Sequence, residues 1–84
     1  MKDEKTVLEE IRKEFRVVSA RAFKLRKFMI SEDYGRMSFY MKDAFKTQLD
    51  GMEGYCEGLY RRIQHMMNAM VEADSKPAAD DFLF

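Results

Sequence analysis

The sequence predicts an all-α fold, an antiparallel helical hairpin of two long, heptad-packed helices that assembles into an oligomeric helical bundle. In residues 45–70, apolar side chains recur in unbroken steps of four and three, the spacing of a helix that packs along a partner helix. They are Phe45, Leu49, Met52, Cys56, Leu59, Ile63, Met66 and Met70. A chain of 84 residues buries a limited core by itself, so we expect a homo-oligomer, from dimer to hexamer, to complete it.

The composition of the chain indicates a folded helical protein. Hydrophobic residues make up 46% of the chain and charged residues 36%, which is typical of helical bundles and too hydrophobic for a disordered chain. No apolar run approaches the roughly 20 residues that span a bilayer, and the charged start of the chain lacks the apolar segment of a signal peptide. We therefore expect a cytoplasmic protein without membrane contact. The single cysteine, Cys56, lies at a heptad core position and is expected to be a buried apolar residue.

The first helix is expected at about residues 3–30. Thr6 and Glu9 have the spacing of a capping box, although a start at Asp3 is also compatible with the sequence. Its apolar stripe matches the second stripe in length and consists of Leu8, Ile11, Phe15, Val18, Ala22, Leu25 and Met29. On a helical wheel, at about 100° per residue, most basic side chains of this helix point away from the stripe.

Charge is unevenly distributed, although the net charge is zero. Residues 12–28 contain seven basic residues and one acid, Glu14, which gives a local charge of +6. This stretch could attract an anionic partner, or it could simply solvate the outer face of a helix. Strong binding to polymeric nucleic acid is not expected from a chain with a pI near 6.6.

A break in the heptad pattern predicts where the first helix ends and where the second helix begins. The sequence Ser-Glu-Asp-Tyr-Gly-Arg at residues 31–36 breaks the heptad pattern, and Gly35 is a candidate for the left-handed conformation that ends a helix. Ser38 is a candidate cap for a second helix at about residues 37–74. A connection this short makes the helices antiparallel neighbours. Residues 1–74 thus form a hairpin domain, and residues 75–84, with the only proline, form a flexible acidic and apolar tail.

A second face of the long helix carries the candidate binding residues. This surface, which we call the glycine face, consists of Tyr40, Ala44, Thr47, Gln48, Gly51, Tyr55, Gly58, Arg62 and His65. Gly51, Gly54 and Gly58 in one helix cost about 0.8–1 kcal/mol each relative to alanine. Small residues either allow another helix to approach closely or leave a hollow beside groups that can stack on a base and hold a phosphate.

The spacing of these residues resembles that of a known group of proteins. Gln48-Leu-Asp-Gly-Met52, followed by Tyr55, Leu59 and the Arg62-Ile63 pair, resembles the second helix of small phage-encoded helical hairpins, and residues 24–32 resemble the end of their first helix. The hairpin is similar to that of anti-CBASS and anti-Thoeris sponge proteins, which form oligomers and sequester the cyclic nucleotide signals of bacterial defence. The resemblance covers roughly residues 15–65 and implies an anti-defence protein in the cytoplasm of an infected bacterium.

The resemblance implies binding without catalysis or cofactor. Candidate ligand contacts follow from side-chain chemistry and wheel position. We expect Lys24, Lys27 and Arg62 near phosphates, Thr47 and Gln48 as hydrogen-bonding groups, and Tyr55 or Tyr40 as a stacking surface for a base. The ligand would be a cyclic di- or trinucleotide or a cyclic ADP-ribose derivative.

The tail suggests an alternative function. Asp-Asp-Phe-Leu-Phe at residues 80–84 resembles the short peptides with which replication proteins dock on their partners, including sliding clamps. Phe82, Leu83 and Phe84 would then enter an apolar pocket of a host protein. A helical face could instead bind a host replication or CRISPR factor, or the tail could be only a solubilising end.

Enzymatic activity is not expected. His65 has no cysteine or serine in a credible nucleophilic arrangement with it. Asp50, Glu53 and Glu57 lie one helical turn apart and could bind a metal, but exposed acids on a helix are normally solvated. We therefore predict no catalytic residue and no metal site.

Overall fold

The computed structural model describes residues 3–75, with side chains described to residue 72. Two long helices, α1 (Glu4–Phe28) and α3 (Phe39–Ser75), are joined through one turn of helix, α2 (Glu32–Gly35). The predicted all-α fold, with two long helices packed against each other, is confirmed. The tail residues Phe82, Leu83 and Phe84 lie outside the described residues.

The helices run antiparallel, as contacts at the two ends of the hairpin demonstrate. Leu8 and Ile11, near the start of α1, form a buried cluster with Leu59 and Ile63 of α3. Near the connection, the rings of Phe28 and Phe45 lie 5.3 Å apart between centroids. Every residue of both apolar stripes is buried or half-buried, because residues three and four apart share one side of a helix.

Each long helix begins at a side-chain cap. The carboxylate of Asp3 accepts a hydrogen bond of 2.8 Å from the backbone N–H of Thr6, so Asp3 is the cap of α1 and Thr6 lies inside the helix. This contact lowers the pKa of Asp3 below its ordinary value. At the start of α3, the Ser38 hydroxyl accepts a hydrogen bond from the backbone N–H of Met41 at 3.2 Å. Both caps satisfy donors that the first turn of a helix leaves unpaired.

The connection differs from the sequence-based expectation at Gly35. None of the described glycines has a positive φ, so the left-handed conformation expected for Gly35 is wrong. The short helix instead ends at Gly35, and the next residue, Arg36, is in the right-handed region and donates its backbone N–H to carbonyl groups of α2. The Arg36 guanidinium pairs with Glu32 at 3.1 Å and Asp33 at 3.4 Å. Because right-handed residues close this turn, it requires no left-handed residue.

An aromatic cluster holds the connection against the helices. The ring of Tyr34 lies 6.0 Å from that of Phe28 and 6.2 Å from that of Phe45 between centroids. The Tyr34 hydroxyl donates a hydrogen bond of 3.3 Å to the backbone carbonyl of Lys42. The connection is therefore packed, and it sets the relative position of α1 and α3. Within the described part of the chain, no helix has the length and apolar character needed to cross a membrane.

Candidate functional site

The hairpin presents two different surfaces, one on each side of the packed stripes. Tyr55 and Tyr60 are five residues apart on α3, which places them about 140° apart around the helix. Tyr55 is 52% exposed on the glycine face and Tyr60 is 46% exposed on the other side. We call this other side the groove face. It contains two neighbouring hollows between α1 and α3, and the residues that line the first of them include Phe15, Ser19, Arg26, Glu53, Cys56 and Tyr60.

The glycine face is tied to α1 by one side-chain contact. The Tyr55 hydroxyl donates a short hydrogen bond to the carboxylate of Glu14. This bond, with some burial and the nearby negative charge, raises the pKa of Tyr55 above its ordinary value of 10.0, while Arg62 acts in the opposite direction. The contact orients the Tyr55 ring and leaves half of its surface open to solvent.

The Tyr55 contact predicts a specific response to alkaline pH. Because the pKa of Tyr55 is raised in the folded state, its contribution to stability is present below the unfolded-state pKa of about 10 and is lost as pH rises through the folded-state pKa. Between about pH 9.5 and 11, a range that surrounds the unfolded-state pKa, the unfolding temperature of the wild type should fall more steeply than that of Tyr55→Phe. Thermal unfolding across this pH range measures the difference.

The matched control for this experiment is Tyr60→Phe. It removes the hydroxyl of a tyrosine of similar exposure, which accepts a hydrogen bond from Gln64 on the same helix, and leaves the contact between Tyr55 and Glu14 intact. Its pH dependence should follow that of the wild type. Equal slopes for all three proteins would contradict a role for the Tyr55–Glu14 bond in folding.

The three helical glycines border open space. A Cβ atom added at Gly51, Gly54 or Gly58 would meet no atom within 4 Å apart from its own neighbourhood in the helix. The first helix therefore does not use these glycines as a close contact. Their conformational cost is not offset by packing inside the hairpin, so a partner outside it remains the candidate explanation.

Some of the predicted ligand contacts form one line along α3. Gln48, Tyr55 and Arg62 are exposed and follow one another at intervals of seven residues, which corresponds to about 10.5 Å along the axis and nearly the same side of the helix. Thr47 is exposed next to Gln48. Arg62 lines an open hollow of about 520 Å³ with Arg61, His65 and Met66. Gln48, Tyr55 and Arg62 therefore place an aromatic surface between an amide and a guanidinium.

The other predicted contacts lie elsewhere. Lys27 places its Nζ 5.4 Å from the centre of the Phe23 ring, and both residues line an apolar hollow near Leu49 on the groove face. Leu49 and Arg62 are thirteen residues apart, or about 20 Å along α3, so Lys27 and Arg62 border separate hollows. Lys24 is exposed on α1, and Tyr40 is exposed near the start of α3, with its ring 5.8 Å from that of Phe39.

The groove face combines aromatic, thiol and charged groups. The rings of Phe15 and Tyr60 lie 6.1 Å apart between centroids. The half-buried Cys56 contacts Ser19, with 3.6 Å between Sγ and Oγ, so it is less buried than its heptad core position predicts and lies beside a polar group. Across the same side of the hairpin, Arg12 donates to the Met67 sulfur at 3.1 Å. Among the described residues, no group of three His, Cys, Asp or Glu side chains could hold a metal ion.

Comparison of the chain with protein-family models, curated proteins and solved structures finds no match. The assignment of the candidate site therefore depends only on the chemistry and positions of its residues. Sequence analysis missed Glu14, the partner of Tyr55, and the groove face around Phe23 and Tyr60. Both could be found from helical wheels only by knowing which flank of α1 lies beside which flank of α3, and that depends on how the helices pack.

Proposed function

We propose that this chain is a non-enzymatic, homo-oligomeric binding protein that sequesters cyclic nucleotides, as phage anti-defence sponges do. The observation that carries the proposal is the open surface at Gly51, Gly54 and Gly58 beside Tyr55 and Arg62. A flat aromatic ring next to an unobstructed helix surface suits a nucleobase, which stacks on any π face. The resemblance of residues 48–63 to the sponge hairpins supports the same ligand class.

The charges on this face suggest how a ligand would lie. Glu14 holds the Tyr55 hydroxyl, so the negative charge beside that ring disfavours a phosphate there. Arg62, about 10.5 Å further along α3, has a planar guanidinium that can hold a phosphate through two hydrogen bonds. A base at Tyr55 with a phosphate at Arg62 matches a ligand of dinucleotide length, with Thr47 and Gln48 placed to bind at its other end.

The assembly is supported by the small core of the hairpin. Among the described residues, the buried apolar core consists only of Leu8, Ile11, Ala22, Leu25, Leu59 and Ile63. Large apolar side chains such as Phe23, Ile30 and Phe39 remain exposed on the single chain. Since a domain of this size usually needs additional burial to be stable, association of copies supplies a reason for this surface.

A thermal-shift panel tests ligand binding. The purified chain is heated with cyclic dinucleotides, cyclic trinucleotides and cyclic ADP-ribose derivatives, one at a time. A ligand at one hundred times its dissociation constant adds about 2.7 kcal/mol of stability, so the unfolding temperature should rise with one ligand class. An unchanged unfolding temperature with every ligand, in a protein that is folded and assembled, would overturn the proposal.

The site itself is tested by Arg62→Ala, with Arg36→Ala as its control. Loss of a charge-assisted hydrogen bond costs about 1.5–3 kcal/mol, so Arg62→Ala should weaken ligand binding about 10- to 100-fold. Arg36 is exposed at the connection and pairs with Glu32 at 3.1 Å, away from the hollow that Arg62 lines, so its removal should leave affinity nearly unchanged. Titration calorimetry of both variants with the ligand found in the panel measures the difference. Equal affinities would place the ligand away from Arg62.

A further inference from the structure

The groove face contains a surface that the hairpin leaves uncovered, mainly apolar in one hollow and mixed apolar and charged in the next. Two hollows, of about 240 Å³ and 470 Å³, follow each other along it and share Arg26 in their lining. Phe23 and Ile30 border the larger hollow and are 56% and 86% exposed, and Tyr60 borders the smaller one. Exposed aromatic and aliphatic groups in one groove mark a surface that a protein partner covers.

In the middle of this groove, the edge formed by α1 is positively charged and the edge formed by α3 is negatively charged. On the α1 edge, Arg26 lines both hollows, and on the α3 edge, Glu53 and Glu57 line the smaller one. Glu57 is paired with Arg61, whereas no ion pair joins Arg26 to Glu53 within residues 3–72. Nearer the connection, the α3 edge becomes basic at Lys42 and Lys46, which border a separate hollow with Asp43. The middle of the groove therefore presents an unpaired cation and an unpaired anion at the same level.

The opposite charges of the two edges fit a second copy of this chain, because a two-fold axis can bring the positive edge of each copy onto the negative edge of the other. We infer that a second copy of this chain covers the groove face, related by a two-fold axis parallel to the helices. That axis places α1 of each copy on α3 of the other, with the two connections at the same end, so Arg26 of one copy faces Glu53 of its partner twice. A two-fold axis across the helices would instead place the basic α1 on α1, which like charges disfavour.

The resulting four-helix bundle has a defined interior and exterior. Phe23 and Tyr60 of both copies lie inside it, and the two glycine faces lie on the outside, where a ligand or a further copy can reach them. Association through a groove lined by aromatic side chains follows the usual anatomy of homodimer interfaces. The inference rests on the assembly part of the proposed function and is independent of which ligand the glycine face binds.

Phe23→Glu, with Val17→Glu as its control, tests which face is covered. The two positions lie about 120° apart around α1 and flank its apolar stripe on opposite sides, and they are 56% and 44% exposed. A charge buried at the centre of an interface should weaken self-association at least 100-fold, whereas Val17→Glu should assemble like the wild type. Sedimentation velocity over a range of concentrations measures this. An unchanged sedimentation coefficient for Phe23→Glu overturns the inference.

Mixed charge reversals test the symmetry and do not depend on whether the Phe23 variant folds. Arg26→Glu and Glu53→Arg each create two repulsive pairs across the two-fold axis, so each alone should associate about tenfold more weakly. In an equimolar mixture, every pair across the interface is attractive again, and assembly should return to the wild-type level. A mixture that assembles no better than its components overturns the inference. Failure of the ligand panel with assembly intact would instead overturn only the ligand part of the proposed function.

Discussion

Leu59→Ala is expected to cost about 3 kcal/mol of the free energy of unfolding. Leu59 is 3% exposed and packs with Leu8, Ile11 and Ile63 where the two stripes meet. Truncation of a buried leucine removes its transfer free energy and leaves a cavity, together worth about 2–5 kcal/mol. Urea unfolding followed by circular dichroism measures the loss, at one fixed chain concentration because the self-association that we propose would make stability depend on concentration.

Val71→Ala provides the control for Leu59→Ala. Val71 lies on the same helix and is 63% exposed, so its truncation should change stability by less than about 0.5 kcal/mol. A loss at position 71 equal to that at position 59 would show that the buried cluster of the hairpin is not its stabilising centre.

The triple variant Gly51→Ala, Gly54→Ala and Gly58→Ala should be more stable than the wild type in the absence of ligand, by about 2.4–3 kcal/mol. Each glycine lies in α3 beside open space, so an added methyl group meets no neighbour. Alanine restricts the unfolded chain and favours the helix by about 0.8–1 kcal/mol per position. The same methyl groups fill the surface that we propose for the ligand, so ligand binding should be lost as stability rises. Thermal unfolding with and without ligand measures both effects.

Ala69→Gly serves as the reverse control for the glycine variant. Ala69 is exposed on α3, and the change should destabilise the chain by about 0.8–1 kcal/mol without altering ligand affinity. A triple variant that loses its assembly would show that another helix approaches the glycines closely. That outcome would exclude an open binding surface and return the three glycines to a packing role.

The sequence alone determined the helical content and the two apolar stripes, and it left the cap of α1 open between Thr6 and Asp3, of which the structure has Asp3. Residues such as Leu8 and Ile11, or Leu59 and Ile63, are spaced so that one side of a helix becomes apolar, and this is a property of each helix by itself. The cap at Asp3 is equally local, because it depends on a side chain three residues from the donor it satisfies. The candidate binding residues Gln48, Tyr55 and Arg62 share one line for the same reason.

Only the tertiary structure decided what lies beside each stripe. The contact of Tyr55 with Glu14, the groove between Arg26 and Glu53, and the separation of Lys27 from Arg62 all depend on the rotation and axial register of α1 against α3. The helical period constrains neither quantity, because they arise from packing between side chains distant in sequence and from the aromatic cluster at the connection. The right-handed Gly35 has the same origin, since contacts across the whole turn, and not the residue type, set its conformation.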